Sequence, residues 1–270
     1  MAAGSEQVGT VYRLTIVTDS ESSGGAGDSH GSSHDQDSVI ERIIAVQADG
    51  LELEYDLLPG TTEQERARSW QFPLRVFKPV SGATRILNSA ELEKRIDGWL
   101  ALAKLSREAC GKWYFTWNAF KVECDPQSAL RIAEAYDMRP GALAEGVTYR
   151  DPRASSPTNL KMIRKGTGTV FSGEMPIDVE LVRKEKAQSD FVVGEITRKP
   201  ITLETAHAVR SREQFSGTIG ISFEVLPSGF VSRRTTVTNL KAIAVDGAIE
   251  NSTVTSVLSR ELVPSPNPFP

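Results

Sequence analysis

The chain has 270 residues, of which 39% are apolar and 24% charged, and its formal net charge is −4. This balance is typical of a globular protein with a buried core, and it argues against nucleic acid as a partner. No apolar run approaches the roughly 18 residues of a membrane-spanning helix, so no transmembrane segment is expected. The first residues lack the basic and apolar regions of a signal peptide, although removal of a leader would leave the same start.

Residues 1–80 are predicted to form strands. The clearest pattern is Leu51, Leu53 and Tyr55, which alternate with acidic residues. An alternation with period two is typical of a strand that has one buried and one solvated face. Asp49-Gly50 precedes this pattern, and Asp-Gly readily adopts the positive φ angles of a tight turn. The sequence therefore predicts a hairpin around this dipeptide.

Residues 19–38 differ in composition from the strands around them. They are rich in Ser, Gly and Asp, and Ala26 is their one apolar side chain. Such a segment buries too little apolar surface to offset the entropy of ordering it, which predicts a disordered loop. His30 and His34 lie among aspartates here, but a mobile loop is a poor cage for a metal ion. We expect no metal site, only a solvated polar loop.

Residues 81–150 are predicted to be a helical and aromatic insertion. Asn88 with Glu91 resembles a capping box at a helix start. Apolar residues then recur at helical spacing and define one stripe. Its members are Leu92, Ile96, Trp99, Leu100 and Ala103. Asp125-Pro126 predicts the start of a second helix, which ends before Pro140.

Residues 151–263 return to strand patterns, including the alternation of Ile177, Val179 and Leu181 and a second tight turn at Asp246-Gly247. Residues 264–270 form a Pro-rich tail, which we expect to lie outside any sheet. The predicted fold class is α+β. We expect a mainly antiparallel sheet, curved or barrel-like, with one inserted helical segment, and a single compact unit overall.

Cys110 and Cys124 enclose an aromatic, β-prone segment centred on Trp117. A chain reversal there would place the two cysteines opposite each other at a distance that a disulfide can bridge. The alternative is a pair of buried thiols. A disulfide indicates an oxidising compartment, so the expected location is periplasmic or secreted, with a cytoplasmic protein as the alternative.

Four aromatic side chains are candidates for ligand binding, because exposed aromatic rings can stack on or enclose an apolar ligand. They are Trp99, Trp113, Phe115 and Trp117. Neighbouring Tyr114 and Phe120 belong to the same aromatic group. The alternative is that these rings form ordinary core beneath a helix.

Known catalytic motifs are absent from the sequence, which has no nucleophile elbow, phosphate-binding loop or zinc-binding helix motif. No catalytic residue and no cofactor are therefore predicted. A hydrolase that uses Asp, Glu or His207 in a cleft is the enzymatic alternative, because catalytic groups converge in space rather than in sequence.

The favoured functional hypothesis is a non-catalytic, extracytoplasmic protein that binds an apolar or amphipathic ligand, or a protein of the cell envelope. The order of elements is similar to that of periplasmic lipoprotein-carrier folds, in which a curved sheet holds a lipid. We expect the ligand between the sheet and the segment 88–124. A structural or assembly protein that uses its sheet edges is a further alternative.

Overall fold

The computed structural model describes residues 6–25, 29–115 and 119–264. The predicted tail, residues 264–270, thus lies outside the described residues except for Pro264. The strands are β1 (Val11–Gly24), β2 (Ser29–Gln47), β3 (Gly50–Asp56), β4 (Leu74–Pro79), β5 (Arg85–Ile86), β6 (Trp113–Phe115), β7 (Ala119–Lys121), β8 (Thr148–Tyr149), β9 (Thr158–Asn159), β10 (Lys161–Lys165), β11 (Gly168–Pro176), β12 (Gln214–Val225), β13 (Val231–Ile243) and β14 (Ile249–Leu262).

The α-helices lie between these strands. They are α1 (Glu63–Arg68), α2 (Ser89–Leu102), α3 (Leu130–Ala135), α4 (Val179–Ile196) and α5 (Leu203–Arg210). Short 3₁₀ turns occur at Arg107–Ala109 and Pro126–Ala129. The helices α2 and α3 fall inside the predicted insertion.

Strands from both ends of the chain form one antiparallel sheet of ten strands, in the order β10-β11-β12-β13-β14-β1-β2-β3-β4-β5. The first strand pairs with both β2 and β14 and so joins the two halves. The sheet is open, because β10 and β5 form its edges. This confirms the predicted α+β class, and the hairpins at Asp49-Gly50 and Asp246-Gly247 are confirmed as well.

Helix α2 covers the apolar face of the sheet on the side of β1 to β4. Its stripe of Leu92, Ile96 and Leu100 shares one buried cluster with Leu14 and Leu53 of the sheet, and each of these residues is at most 3% exposed. We call this group, with its neighbours, the first core cluster. Burying a Leu or Ile side chain stabilises the fold by about 1.5–3 kcal/mol, so this interface is a main source of stability.

A second core cluster lies on the same face of the sheet, at its other end. Phe171, Ile219 and Phe223 of β11 and β12 are buried there, and Val182 of α4 packs with them. Between the two clusters the face carries small polar side chains that are half-buried. Thr18, Ser256 and Thr236 form one row of these across β1, β14 and β13.

The prediction of a disordered loop over residues 19–38 is wrong for the described residues. The strands β1 and β2 pair along this segment, with Asp19 opposite His34 and Gly24 opposite Ser29, and residues 26–28 lie outside the described residues. Asp19 and His34 also form a 2.6 Å hydrogen bond. The polar composition led to a wrong prediction because backbone pairing does not require apolar side chains. Here β1 pairs with β14 as well as with β2 as far as Gly24, so its backbone has hydrogen-bonding neighbours on both sides.

The strand predicted around Ile177, Val179 and Leu181 is also wrong, because Val179–Ile196 is a helix. Asp178 caps this helix, since its side chain accepts a 3.1 Å hydrogen bond from the Leu181 backbone N–H. An alternation over five residues is too short to exclude a helix. A strong N-cap that directly follows the end of β11 decided the structure here.

Asn88 begins α2 as predicted, but its side chain does not cap the helix. Its amide instead joins the helix start to the region of β4, since Oδ1 accepts from Arg75 N (3.0 Å) and Nδ2 donates to Pro73 O (2.9 Å). Asp125 does cap the second predicted helix start, through a 2.9 Å bond from Gln127 N.

Asn88→Asp tests the hydrogen bond that the Asn88 amide donates to Pro73 O. Aspartate is as good an N-cap as asparagine, but it cannot donate to Pro73 O and would place a carboxylate beside that carbonyl. We expect a loss of about 1–3 kcal/mol in the free energy of unfolding, measured by urea titration. An unchanged stability would show that the hydrogen bond to Pro73 O does not stabilise the fold.

Candidate functional site

The two cysteines form a disulfide, as the sequence predicts, with a Cα–Cα distance of 5.5 Å. The enclosed chain reverses as expected, because β6 pairs with β7 and places Tyr114 opposite Phe120. We call residues 110–124 the disulfide hairpin. Within it, residues 116–118 lie outside the described part of the chain.

An apolar cavity of about 520 Å³ lies between the end of α2 and the disulfide hairpin. This volume is within the range of small-molecule sites. Its lining residues come from α1, from the end of α2 and the residues that follow it, and from the hairpin. They are Arg68, Trp99, Leu102, Ala103, Leu105, Tyr114 and Phe120. The side chains of Leu102 and Phe120 are 53% and 44% exposed, so a ligand could reach the cavity from solvent.

The wall formed by α2 depends on how the helix ends. Trp99 flanks the buried stripe of the helix, and Leu102 is its last residue. The chain then reverses at Lys104, which has a φ of 56°, and Leu105 N donates to Leu100 O over 2.9 Å. This reversal brings Leu105 back to the helix end, where its side chain completes the wall.

The opposite wall is the disulfide hairpin. The rings of Tyr114 and Phe120 stack with their centroids 5.9 Å apart, which is a typical geometry for a cross-strand aromatic pair. The ladder continues beyond the strands, since Gly111 N donates to Val122 O over 2.8 Å. Val122 is fully buried in the first core cluster, so the hairpin is fixed to the core at this point.

Arg68 lies in the last turn of α1 and contributes the cationic part of the lining. The helix begins with a capping box between Thr62 and Glu65. Arg66 then fixes the helix to β3 through a 2.9 Å ion pair with Asp56. The Arg68 side chain is exposed and forms no ion pair with the described residues.

Of the four predicted site residues, Trp99 lines this cavity. Trp113 begins β6 and is half-buried. The backbone of Phe115 ends β6, but the structure does not describe its side chain, and Trp117 lies outside the described residues. The lining residues Leu102 and Arg68 were not predicted, because Leu102 is off the apolar stripe of α2 and Arg68 is distant in sequence.

The space between the sheet and the segment 88–124, where we expected the ligand, is occupied by packed side chains. Leu92 and Ile96 of α2 and Leu53 and Tyr55 of β3 are at most 1% exposed in this interface. The helix stripe that was expected to cover a ligand instead covers the sheet itself. The cavity lies on another flank of α2, and none of its described lining residues belongs to the ten-stranded sheet.

A buried ion cluster lies at the end of β1, β2 and β14. Arg139 donates to both carboxylate oxygens of Glu41 at 2.7 and 2.9 Å, and Arg260 donates to Glu41 at 2.7 Å. Glu6 contacts both arginines, at 3.1 and 3.2 Å, so the two negative and two positive charges balance. The guanidinium of Arg260 also lies 3.7 Å from the ring centroid of Tyr12.

The electrostatics of Glu41 explain how a fully buried carboxylate remains charged. Burial alone raises the pKa of Glu41. Arg139 and Arg260 lower it by charge, and hydrogen bonds from Arg139 and the Tyr55 hydroxyl lower it further, so the pKa ends below its usual value. Because every charge has a partner within the cluster, we interpret it as a structural anchor for the chain after α3.

The enzymatic alternative names Asp, Glu or His207 in a cleft. Of these, His207 lies in α5 and is half-buried. Its imidazole forms no hydrogen bond with another described side chain. The described part of the chain contains no group of three His, Cys, Asp or Glu side chains arranged to hold a metal ion. Among the described residues, no helix is long and apolar enough to cross a membrane.

No protein-family model matches the chain, and no curated protein is significantly similar to it. A solved structure of lipovitellin, described as showing lipid–protein interactions in that protein, aligns with 97% of this chain at 11% identity and a TM-score of 0.41. This chain covers 26% of the lipovitellin chain. At this identity and TM-score the match gives no information about a ligand or a function.

Proposed function

We propose that the protein is a non-catalytic binding protein whose cavity between α2 and the disulfide hairpin accepts an apolar or amphipathic ligand. The cavity itself is the observation that carries this proposal. Six of its seven described lining residues are apolar or aromatic, and three of these, Leu102, Ala103 and Phe120, are solvent-exposed. Exposed apolar side chains that line one concave surface are typical of a ligand or partner site.

The lining also argues against catalysis at this position. Among the described residues, Tyr114 and Arg68 are its titratable side chains, and no described carboxylate or histidine lines the cavity. General acid–base chemistry requires a group that titrates near the working pH. The composition of the wall therefore favours binding over turnover.

Titration with an environment-sensitive fluorescent fatty acid tests the proposal. We expect saturable binding to the wild type and a loss of about tenfold or more in affinity for Leu102→Glu, because the substitution places a charge in the apolar wall. Val193→Glu is the matched control, since Val193 of α4 is also 53% exposed and lies outside the cavity. Its affinity should equal that of the wild type.

Tryptophan quenching gives a second readout in the same titration. Trp99 lines the cavity, whereas Trp70 is buried elsewhere in the first core cluster. Trp99→Phe should therefore remove much of the quenching and leave binding largely intact. Absence of saturable binding, together with hydrolytic activity that His207→Ala abolishes, would favour the enzymatic alternative.

The disulfide supports an oxidising compartment as the site of action. We therefore propose a periplasmic or secreted protein. In that setting the ligand would be an apolar molecule in transit or an apolar segment of an envelope protein. Fractionation of the native host, followed by thiol alkylation and intact-mass measurement, tests this location. A cytoplasmic protein with two alkylated thiols would contradict it.

A further inference from the structure

We propose that the ligand of this cavity is a single-chain amphiphile with an anionic head group, and that Arg68 binds this head group. This inference rests on the proposed function and assigns the ligand's charge. The apolar chain would lie between Leu102 and Phe120, with the carboxylate or phosphate at the guanidinium.

The aromatic side chains alone do not decide the charge of the ligand. Trp99, Tyr114 and Phe120 could enclose an alkyl chain, or could bind a quaternary ammonium through cation–π contacts. The second case would place two positive charges together, because Arg68 lines the same cavity and no carboxylate is among the lining residues that the structure describes. Charge complementarity therefore favours an anion.

Arg68 differs from Arg66 and Arg107 because its guanidinium forms no ion pair with the described residues, although its charge acts on Glu65. Arg66 is paired with Asp56 at 2.9 Å, and Arg107 is paired with Asp97 at 2.7 Å. Within the described residues, Arg68 has no such ion pair. A guanidinium can donate two parallel hydrogen bonds to one carboxylate or phosphate, which gives both affinity and orientation.

Glu65 is the acidic group nearest to Arg68 along α1, but its carboxylate is already engaged. It accepts hydrogen bonds from the backbone N–H of Thr62 at 2.9 Å and from the Thr62 hydroxyl at 2.8 Å. These bonds lower the pKa of Glu65, and the nearby positive charge of Arg68 lowers it further, so Glu65 stays charged while it caps the helix. Among the described residues Arg68 forms no ion pair with Glu65, and its exposed guanidinium can therefore donate to an anion from solvent.

The test compares three ligands with the same chain, namely tetradecanoate, tetradecanol and tetradecylammonium, each at monomeric concentrations and neutral pH. We expect tetradecanoate to bind wild-type protein about tenfold more tightly than tetradecanol, and the ammonium to bind most weakly. Arg68→Gln should remove the preference for the anion and leave the affinity for tetradecanol unchanged. Lys94→Gln, which removes one exposed charge of α2 outside the cavity, should change nothing.

Each outcome separates this inference from the proposed function. Equal affinity for all three ligands, or tightest binding of the ammonium, would overturn the role of Arg68 and leave apolar binding intact. Failure of all three to bind would overturn both. Binding to phosphatidylglycerol vesicles without binding of monomeric tetradecanoate would also overturn this inference. In that case the protein would recognise an anionic membrane surface and not a single amphiphile.

Discussion

Replacing Glu41 with glutamine is expected to lower the free energy of unfolding by about 3–5 kcal/mol at neutral pH. Glutamine has nearly the same shape, but it removes the charge that Arg139 and Arg260 share. Its amide nitrogen would also face two donors that need acceptors. Glu41 is fully buried, so water cannot replace the lost partner. Urea unfolding followed by circular dichroism measures this change.

Glu54→Gln is the matched control for this substitution. Glu54 lies on the neighbouring strand β3 and pairs with Arg42 at 2.7 Å, but both side chains are partly exposed. A partly exposed ion pair contributes at most about 1 kcal/mol, so this variant should be nearly as stable as the wild type. Equal losses in the two variants would contradict the special role of the buried ion cluster.

A double variant, Glu41→Gln with Arg139→Gln, tests whether the cost arises from unpaired charge. Removing both partners leaves Glu6 paired with Arg260 at 3.2 Å. We expect the double variant to lose much less stability than the sum of the two single variants. Additive losses would indicate that the two residues act independently.

The same cluster predicts the dependence of stability on pH. The pKa of Glu41 is lowered in the folded protein, so its contribution is complete above the unfolded value of about 4.3. That contribution is lost as the pH falls through the folded pKa. Between neutral pH and pH 3, wild-type protein should therefore lose more stability than Glu41→Gln.

Replacing both cysteines, Cys110→Ser with Cys124→Ser, is expected to cost about 3 kcal/mol, because the disulfide closes a ring of 15 residues in the unfolded chain. The same change should weaken ligand binding. The hairpin carries Tyr114 and Phe120, and without the cross-link its two arms can move apart and displace these rings from the wall. Urea unfolding and the fluorescent fatty-acid titration measure the two effects.

Wild-type protein treated with reductant is the control for this variant. It should lose the same stability and ligand affinity while keeping both sulfur atoms, and intact mass after alkylation should show two modified thiols. A loss below about 1 kcal/mol in the serine variant would contradict a disulfide that constrains the unfolded chain. Unchanged ligand affinity would contradict the hairpin as a wall of the site.

The fold was predictable where local signals and burial agree. The alternation of Leu51, Leu53 and Tyr55, and the turn at Asp49-Gly50, produced the expected hairpin. The apolar spacing of α2 likewise predicted the face that meets the sheet. In each case the residues that direct local structure are also those that need burial. A single pattern therefore predicts both the secondary structure and the face that is buried.

The wrong predictions arose where a distant neighbour decides the structure. Residues 19–38 are polar, and they form strands because β14 pairs with β1 from more than 220 positions away along the chain. Amino-acid composition indicates which side chains can be buried, whereas this pairing depends on hydrogen bonds of the backbone and was therefore not predicted. The strand predicted near Ile177 was wrong for a different reason. The short alternation there favoured a strand, but the N-cap at Asp178 favoured a helix, and the helix formed.

The candidate site was partly predictable. Trp99 and the aromatic hairpin were found because large rings near a pair of cysteines suggest an ordered, apolar surface. Their arrangement was not predictable, because the cavity lies on the flank of α2 away from the sheet. Arg68 reaches it through the position of α1, which depends on the Arg66–Asp56 ion pair. No local pattern in the sequence contains that information.

Photolabelling with a diazirine-bearing fatty acid, followed by peptide mapping, tests the location of the ligand site most directly. The account predicts that label concentrates on peptides that contain Trp99 to Leu105 and on those that contain Tyr114 or Phe120, and that Leu102→Glu abolishes this labelling. Label confined to the strands of the ten-stranded sheet, or labelling that Leu102→Glu leaves unchanged, would contradict it.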